Sequence, residues 1–421
     1  MAASAAFPVV QSGRSVQSAS SQALSDAIRF RTDSGLDADP TYVANIMADP
    51  SASSSAYGFA LTSAEQADLD ARVALENKMW PLEDYITAHP DTYGGIWIDQ
   101  KHGGTVAIEM VGSPPALPAE AAALVPLGAN VQIQSVANTR SSLEGTASKI
   151  RTDLKSLHAA GIDVVEVGVD VPNNLVDVGV QGLTDSISES LLSSYGPDLE
   201  IRSSQPRVQV SLPTGCSSRS NCQLEGGLQV TNLGYRQCTS DFVFKYSGSH
   251  YLATAGHCWS QTYYKWYEDP GATRQIGINF GYSYYSGMSA DVMLMTTPVP
   301  TSTAKNLLYA SDSNKTQAMT VAESNSNQQV GNYACGSGNT SGYHCGPILA
   351  VDQTEVVSGL TEYHMWEADF RSASGDSGGA VFDSYVEQGL IDAVSGVDTY
   401  YSTVGWIDSV MGTTPCLTAA C

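Results

Sequence analysis

A chain of 421 residues is long enough for two or three domains, each with its own core. Only 15% of it is charged, while Gly, Ser, Thr and Tyr abound, a balance that leans towards strands and turns. The formal charge of −23 argues against nucleic acid and anionic membranes as partners, because both reward Lys and Arg.

Residues 1–40 are rich in Ser, Ala and Gln with little periodicity and read as a loose arm. The opening Met1 to Val10 has neither a charged n-region nor a full apolar core, so any export signal is expected outside this sequence. From Ser63 the pattern turns helical: Thr62-Ser63-Ala64-Glu65 has the form of a capping box, and apolar residues recur to Ile86. Residues 95–99 and 105–111, joined by Lys101-His102-Gly103-Gly104, read as a hairpin. Residues 113–126 hold four prolines and read as a linker.

The plan then repeats. Residues 143–160 look helical, 164–171 and 175–180 form a second hairpin candidate around Asn173-Asn174, 184–194 suits a short helix and 198–202 a strand. Helix then hairpin, twice, predicts two small α+β units. His89, His102 and His158 fall in turn or helix-surface settings and carry no expected chemistry. Nowhere do about 18 apolar residues run together, so no membrane-spanning helix is expected.

All eight cysteines lie from Cys216 onward, an even number in one half that predicts disulfides and an oxidising compartment. Beyond the Ser-, Pro- and Gln-rich stretch 203–215, short strands follow at 228–230, 242–246, 250–253, 275–280, 292–295, 318–321, 348–351, 355–357, 380–382 and 389–394. That spacing predicts an all-β barrel or sandwich.

Within this half, Gly375-Asp376-Ser377-Gly378-Gly379 suits a nucleophile on a tight turn, with glycines that let backbone N–H groups approach a reacting carbonyl. A serine hydroxyl is inert at neutral pH and needs a base with its own orienting group. Thr254-Ala255-Gly256-His257-Cys258 and Ala290-Asp291-Val292 supply both. The order His257, Asp291, Ser377 is that of chymotrypsin-type enzymes, not of subtilisins or α/β-hydrolases.

On these residues, and on Cys335-Gly336-Ser337-Gly338-Asn339-Thr340-Ser341-Gly342-Tyr343-His344-Cys345-Gly346, the stretch from about 216 to 412 resembles the bacterial branch of the chymotrypsin-like serine proteases, the alpha-lytic protease and streptogrisin group. The resemblance implies an all-β double barrel over 206–421, preceded by an α+β pro-region of two subdomains over 41–205 that assists folding and inhibits the protease. It implies His257, Asp291 and Ser377 as catalytic residues, the N–H groups of Gly375 and Ser377 as oxyanion hole, and Ser395, Gly396 and Val397 on the substrate-receiving strand, with Ser395 beside Asp291. It implies disulfides Cys335–Cys345 and Cys238–Cys258. Cys216–Cys222 and Cys416–Cys421 are paired by proximity, and pairing across the domain stays open.

The family has an Arg where Gly336 stands, and that Arg neutralises the acid before the nucleophile, here Asp376. Arg371 is the candidate replacement; it could pair with Asp376, enter the primary pocket and favour acidic side chains, or face solvent. The pocket disulfide of the family has no counterpart, and no trypsin-like Ile-Val-Gly-Gly start exists, so pro-region release is expected within 203–215. The expectation is a secreted, monomeric serine endopeptidase acting on proteins or peptides, with its own pro-region as intramolecular inhibitor and no metal or cofactor. The alternatives are an esterase using the same triad and a catalytically silent binding protein.

Overall fold

The computed structural model describes residues 13–49, 52, 57–112, 116–205, 208–209, 226–232, 237–267, 275–296, 307–309, 318–320, 323–383 and 386–417. The expected pairing Cys216–Cys222 falls outside them.

The N-terminal half holds the expected repeat, in fuller form. Helix Ser63–Glu76 starts at Thr62, whose side chain accepts from the Glu65 N–H while Glu65 reaches back to the Thr62 N–H, both members of a capping box. Strands Tyr93–Asp99 and Thr105–Val111 pair antiparallel, and Val131–Val136 joins them in parallel after the short helix Ala119–Ala122. The second unit repeats this order: helix Arg140–Ala159, hairpin Asp163–Asp170 with Leu175–Gln181, helix Asp185–Tyr195, then parallel strand Leu199–Ser203. The 113–126 stretch is thus no plain linker, because part of it is the crossover that a parallel third strand requires.

The arm is likewise not loose. Gly13–Asp33 is a helix, and it ends by docking. Phe30 is 1% exposed and stacks on Phe59, centroids 4.5 Å apart. Arg31, also 1% exposed, pairs with Glu65 and lies over the Tyr42 ring. Its Ser and Ala content hides the helix from a periodicity reading, but Ala27, Phe30, Arg31 and Ser34 are all buried.

The C-terminal half contains two β units. In the first, eight strands run in the order Thr414–Pro415, Val243–Tyr246, Ser249–Thr254, Val292–Thr296, Gln275–Ser283, Lys265–Tyr267, Gln229–Asn232, Gln237–Thr239. In the second, Tyr333–Gly338, Ala380–Asp383, Val386–Ser395, Asp398–Thr403, Leu360–Ala368 and Gly342–Val357 pair in that order, and the last pairs back onto the first. This is a closed six-stranded barrel, and the domain is the expected double β-barrel.

The halves are continuous. The long strand Gly342–Val357 extends beyond the barrel and pairs through Thr354 and Glu355 with Val167 and Glu166 of the second N-terminal unit. One apolar cluster joins Phe30, Tyr57, Leu61 and Leu69 to Tyr333 and Phe382. Burying a side chain such as Phe30 contributes about 1.5–3 kcal/mol, so the N-terminal half is held by packing as well as by strand pairing.

Candidate active site

His257 sits in the one-turn helix Gly256–Cys258 that follows strand Ser249–Thr254 of the first unit. A Cβ on Gly256 would lie 2.2 Å from the Ser283 carbonyl and 2.5 Å from Asp291 Oδ1, so only glycine lets the carboxylate come this close. Asp291 then accepts twice from one residue: its Oδ1 takes the His257 backbone N–H at 2.8 Å, and its Oδ2 faces His257 Nδ1 in a short contact. This double grip fixes the ring and the tautomer that carries its proton on Nδ1. Nε2 is buried and bonds to no described residue. The disulfide Cys238–Cys258 pins the residue after His257.

Ser377 lies on a turn tied to that same loop. Thr239 carries the connection: its N–H donates to the Ser377 carbonyl at 2.8 Å, its hydroxyl donates to the Gly375 carbonyl at 2.7 Å, and its own carbonyl accepts from Thr254 Oγ1 at 2.7 Å. Gly378 takes φ +82°, and a Cβ there would stand 2.1 Å from Thr254 Oγ1 and 2.5 Å from the Ala255 N. The turn that bears Ser377 therefore packs directly on the chain that leads to His257. His257, Asp291 and Ser377 are 7%, 0% and 1% exposed. Gly375 adopts φ +99°, which orients the following turn.

Asp376 needs no arginine. Its carboxylate accepts from the N–H groups of Thr340 at 2.6 Å, Ser341 at 3.1 Å and Ala373 at 2.7 Å. Burial pushes this carboxyl up, while Ser341 and these amides pull it back. Of the three roles open to Arg371, pairing with Asp376 is corrected accordingly: Arg371 binds Asp26 of the N-terminal helix at 2.9 Å. A loop of backbone donors does the work assigned to a guanidinium.

A second correction concerns Ser395. It pairs with Asp398 at the tip of the 386–395/398–403 hairpin, where Gly396 takes φ +64° and the Val397 carbonyl accepts from Arg29 at 3.3 Å. The neighbours of Asp291 are instead Ser402, whose Oγ accepts the Asp291 N–H at 3.0 Å, and Asp392, whose Oδ1 lies 3.9 Å from His257 Nδ1. Asp392 was legible as the lone acid between Leu390-Ile391 and Ala393-Val394, where a fully buried strand should carry none. The backbone that receives another strand also shifts: Ala393 and Val394 pair antiparallel with Gln209 and Val208.

The expected Cys335–Cys345 bridge forms across the 333–338/342–357 hairpin. Cys416 is disulfide-bonded, and the partner, with the expected Cys416–Cys421 pairing, lies outside the described residues. His257, Asp291 and Asp392 bring ligand-type atoms within 4.8 Å of one another, the spacing of a metal site. However, His257 and Asp291 already use their facing atoms on each other, so the arrangement is a hydrogen-bonded one. Chemically, it offers a buried imidazole, oriented by a carboxylate, near a serine on a glycine-rich turn.

No protein-family model matches the chain. Over 171 residues it is 30% identical to glutamyl endopeptidase 2 of Streptomyces griseus, covering 41% of this chain and 85% of that one. Among solved structures, a glutamic-acid-specific serine protease described as using a histidine triad in substrate binding is 25% identical, covering 46% of this chain and 100% of the other at a TM-score of 0.40. Nocardiopsis protease is 24% identical over 46% of this chain and 99% of its own, at a TM-score of 0.39. With that curated relative matched over most of its length, the chain belongs to the bacterial chymotrypsin-like serine proteases and is a serine endopeptidase.

Proposed function

We propose that this chain is a secreted serine endopeptidase made as a pro-enzyme, with His257, Asp291 and Ser377 as its catalytic triad. The observation that carries the reading is the double hydrogen bond from His257 to Asp291, made beside the turn that bears Ser377. In this mechanism Ser377 Oγ attacks the scissile carbonyl while His257 Nε2 takes its proton. Asp291 stabilises the imidazolium that forms, and His257 returns the proton to the leaving amine. Water then repeats the sequence on the acyl-enzyme, with Ser377 as leaving group. The N–H groups of Gly375 and Ser377 face the developing oxyanion, a few kcal/mol of transition-state stabilisation per donor.

The N-terminal half is read as the pro-region. Residues 208–209 run antiparallel to Ala393 and Val394, the backbone course a peptide substrate would take on the same strand. A chain occupying that edge excludes others, which supports inhibition in place until cleavage within 203–215. Among the described residues no helix is long and apolar enough to cross a membrane.

A preference for acidic side chains has one specific support. Arg371, six residues before Ser377, already holds the carboxylate of Asp26, and the matched relative is named a glutamyl endopeptidase. Cleavage of a peptide library tests this, and an absence of Glu or Asp before the cut would remove it. The triad itself is tested by hydrolysis of a denatured protein substrate. Ser377→Ala and His257→Ala should each lower kcat by on the order of 10⁴-fold or more; substantial activity in either variant would contradict the reading.

A further inference from the structure

Behind His257, three carboxyl groups from three separate segments converge. Asp291 precedes strand Val292–Thr296, Asp392 lies on Val386–Ser395 and Glu362 on Leu360–Ala368; they are 0%, 0% and 1% exposed. Asp392 and Asp291 bring carboxylate oxygens within 4.8 Å of one another, and Glu362 lies close enough for its charge to act on Asp392. Ser402, on Asp398–Thr403, accepts from the Asp291 N–H and donates towards Asp392 Oδ2 at 3.5 Å. Two further titratable neighbours are His257 itself and Tyr284, whose ring centroid is 6.2 Å from the imidazole. Among the described residues no Lys or Arg pairs with any of the three acids, and Asp392 Oδ1 and both Glu362 oxygens have no donor.

Three ionised carboxylates cannot share so small a buried space with one imidazole. Both Asp291 oxygens are turned to His257, which identifies Asp291 as the charged member. Protons must therefore reside on the other two. We propose that Asp392 is a positioning residue, held protonated with Glu362, that keeps Asp291 a single negative charge with both oxygens presented to His257. Burial, followed by the neighbouring negative charges of Asp291 and Glu362, pushes the Asp392 carboxyl well above the usual range, and burial followed by Asp291 does the same to Glu362.

The consequence is a pH dependence of the reaction. When the pair loses a proton at high pH, a second negative charge stands 3.9 Å from His257 Nδ1. That charge repels Asp291 and competes with it for the Nδ1 proton, so the ring loses its fixed position and kcat/KM falls. This proposal rests on the triad reading above.

The test is the kcat/KM–pH profile of enzyme expressed as the full chain and processed, normalised by active-site titration. Wild type should show a descending alkaline limb. In the Asp392→Asn, Glu362→Gln double variant, which has no proton to lose there, the limb should move up by at least about one pH unit. Asp392→Ala should lose about 10²-fold in kcat with KM little changed, as expected of a misplaced base. Asp392→Asn, which keeps a donor, should recover most of that. Superimposable limbs in wild type and the double variant, or an Asn variant as impaired as the Ala variant, would overturn the proposal. If substitutions at 392 prevent folding, Glu362→Gln alone reads the same limb from one residue further away. An active Ser377→Ala enzyme would instead sink the triad reading itself, so the two failures are distinguishable.

Discussion

Asp376 shows how one residue shapes the turn that bears Ser377. Three part-buried backbone N–H groups converge on its carboxylate, so removing it takes a partner from each. A donor orphaned away from water costs about 1–3 kcal/mol, and one such loss is already a sizeable fraction of a domain's stability. Asp376→Ala should therefore lower the melting temperature steeply and abolish activity, while Asp376→Asn, which keeps one acceptor oxygen, should lose less of both. Equal melting temperatures for wild type and Asp376→Ala would show that the amides find other partners. Motif resemblance placed an arginine in this role because spacing along the chain cannot reveal that a loop's own amides will suffice.

At the scale of elements, the contact between the halves is lined with acids whose carboxyls burial pushes up. Glu76 of helix Ser63–Glu76 is fully enclosed and accepts the Tyr333 N–H of the second barrel at 2.7 Å. Burial, then the negative charges of Asp383 and Glu83, pushes its carboxyl well above the usual range. Asp33 of the N-terminal helix meets Asp369, whose carboxyl is pushed up to about 9, first by burial and then by Asp33. A raised carboxyl favours the joined state while it is protonated, and that contribution is lost as pH rises through the raised value. Cleaved halves should consequently co-elute at pH 5 and separate more readily at pH 9, and Glu76→Gln should weaken this dependence. Co-elution independent of pH would contradict it.

Much of this organisation was legible in the sequence. Both N-terminal hairpins, the capping box at Thr62 and the strands beside His257, Asp291 and Ser377 follow from turn residues, caps and strand patterning, and the Cys238–Cys258 and Cys335–Cys345 bridges from the family resemblance. The strands Leu360–Ala368 and Asp398–Thr403 escaped because their Glu, His, Asp, Ser and Thr content masks alternation, although both are internal to a closed barrel. The helix Gly13–Asp33 escaped for the opposite reason: few of its residues are apolar, and its burial depends on partners about 30 and 300 residues away. Asp392 was passed over because the family motif drew attention to Ser395, whereas the register of the hairpin decides which side chain reaches Asp291.

For the whole molecule, buried acids and a charge of −23 point the same way. Burial pushes Glu109 up to about 7 and Glu83 up to about 8, and it pushes Asp241 and Glu387 well above the usual range. The folded chain holds protons that an unfolded chain releases near pH 4, so stability is greatest in acid and declines as pH rises towards 7–9. Each such group contributes about 1.36 kcal/mol per pH unit across its window, and self-repulsion adds to the slope. The full chain should melt at a higher temperature at pH 5 than at pH 8. A melting temperature that climbs over this range would contradict the protonation assigned to these acids.

The measurement closest to the centre of the account is site mapping by fluorophosphonate labelling of the processed enzyme. The account predicts a single covalent adduct on Ser377, nearly lost in His257→Ala and strongly slowed in Asp291→Asn. An adduct on another residue, or labelling of Ser377 that proceeds unchanged without the imidazole of His257, would contradict it.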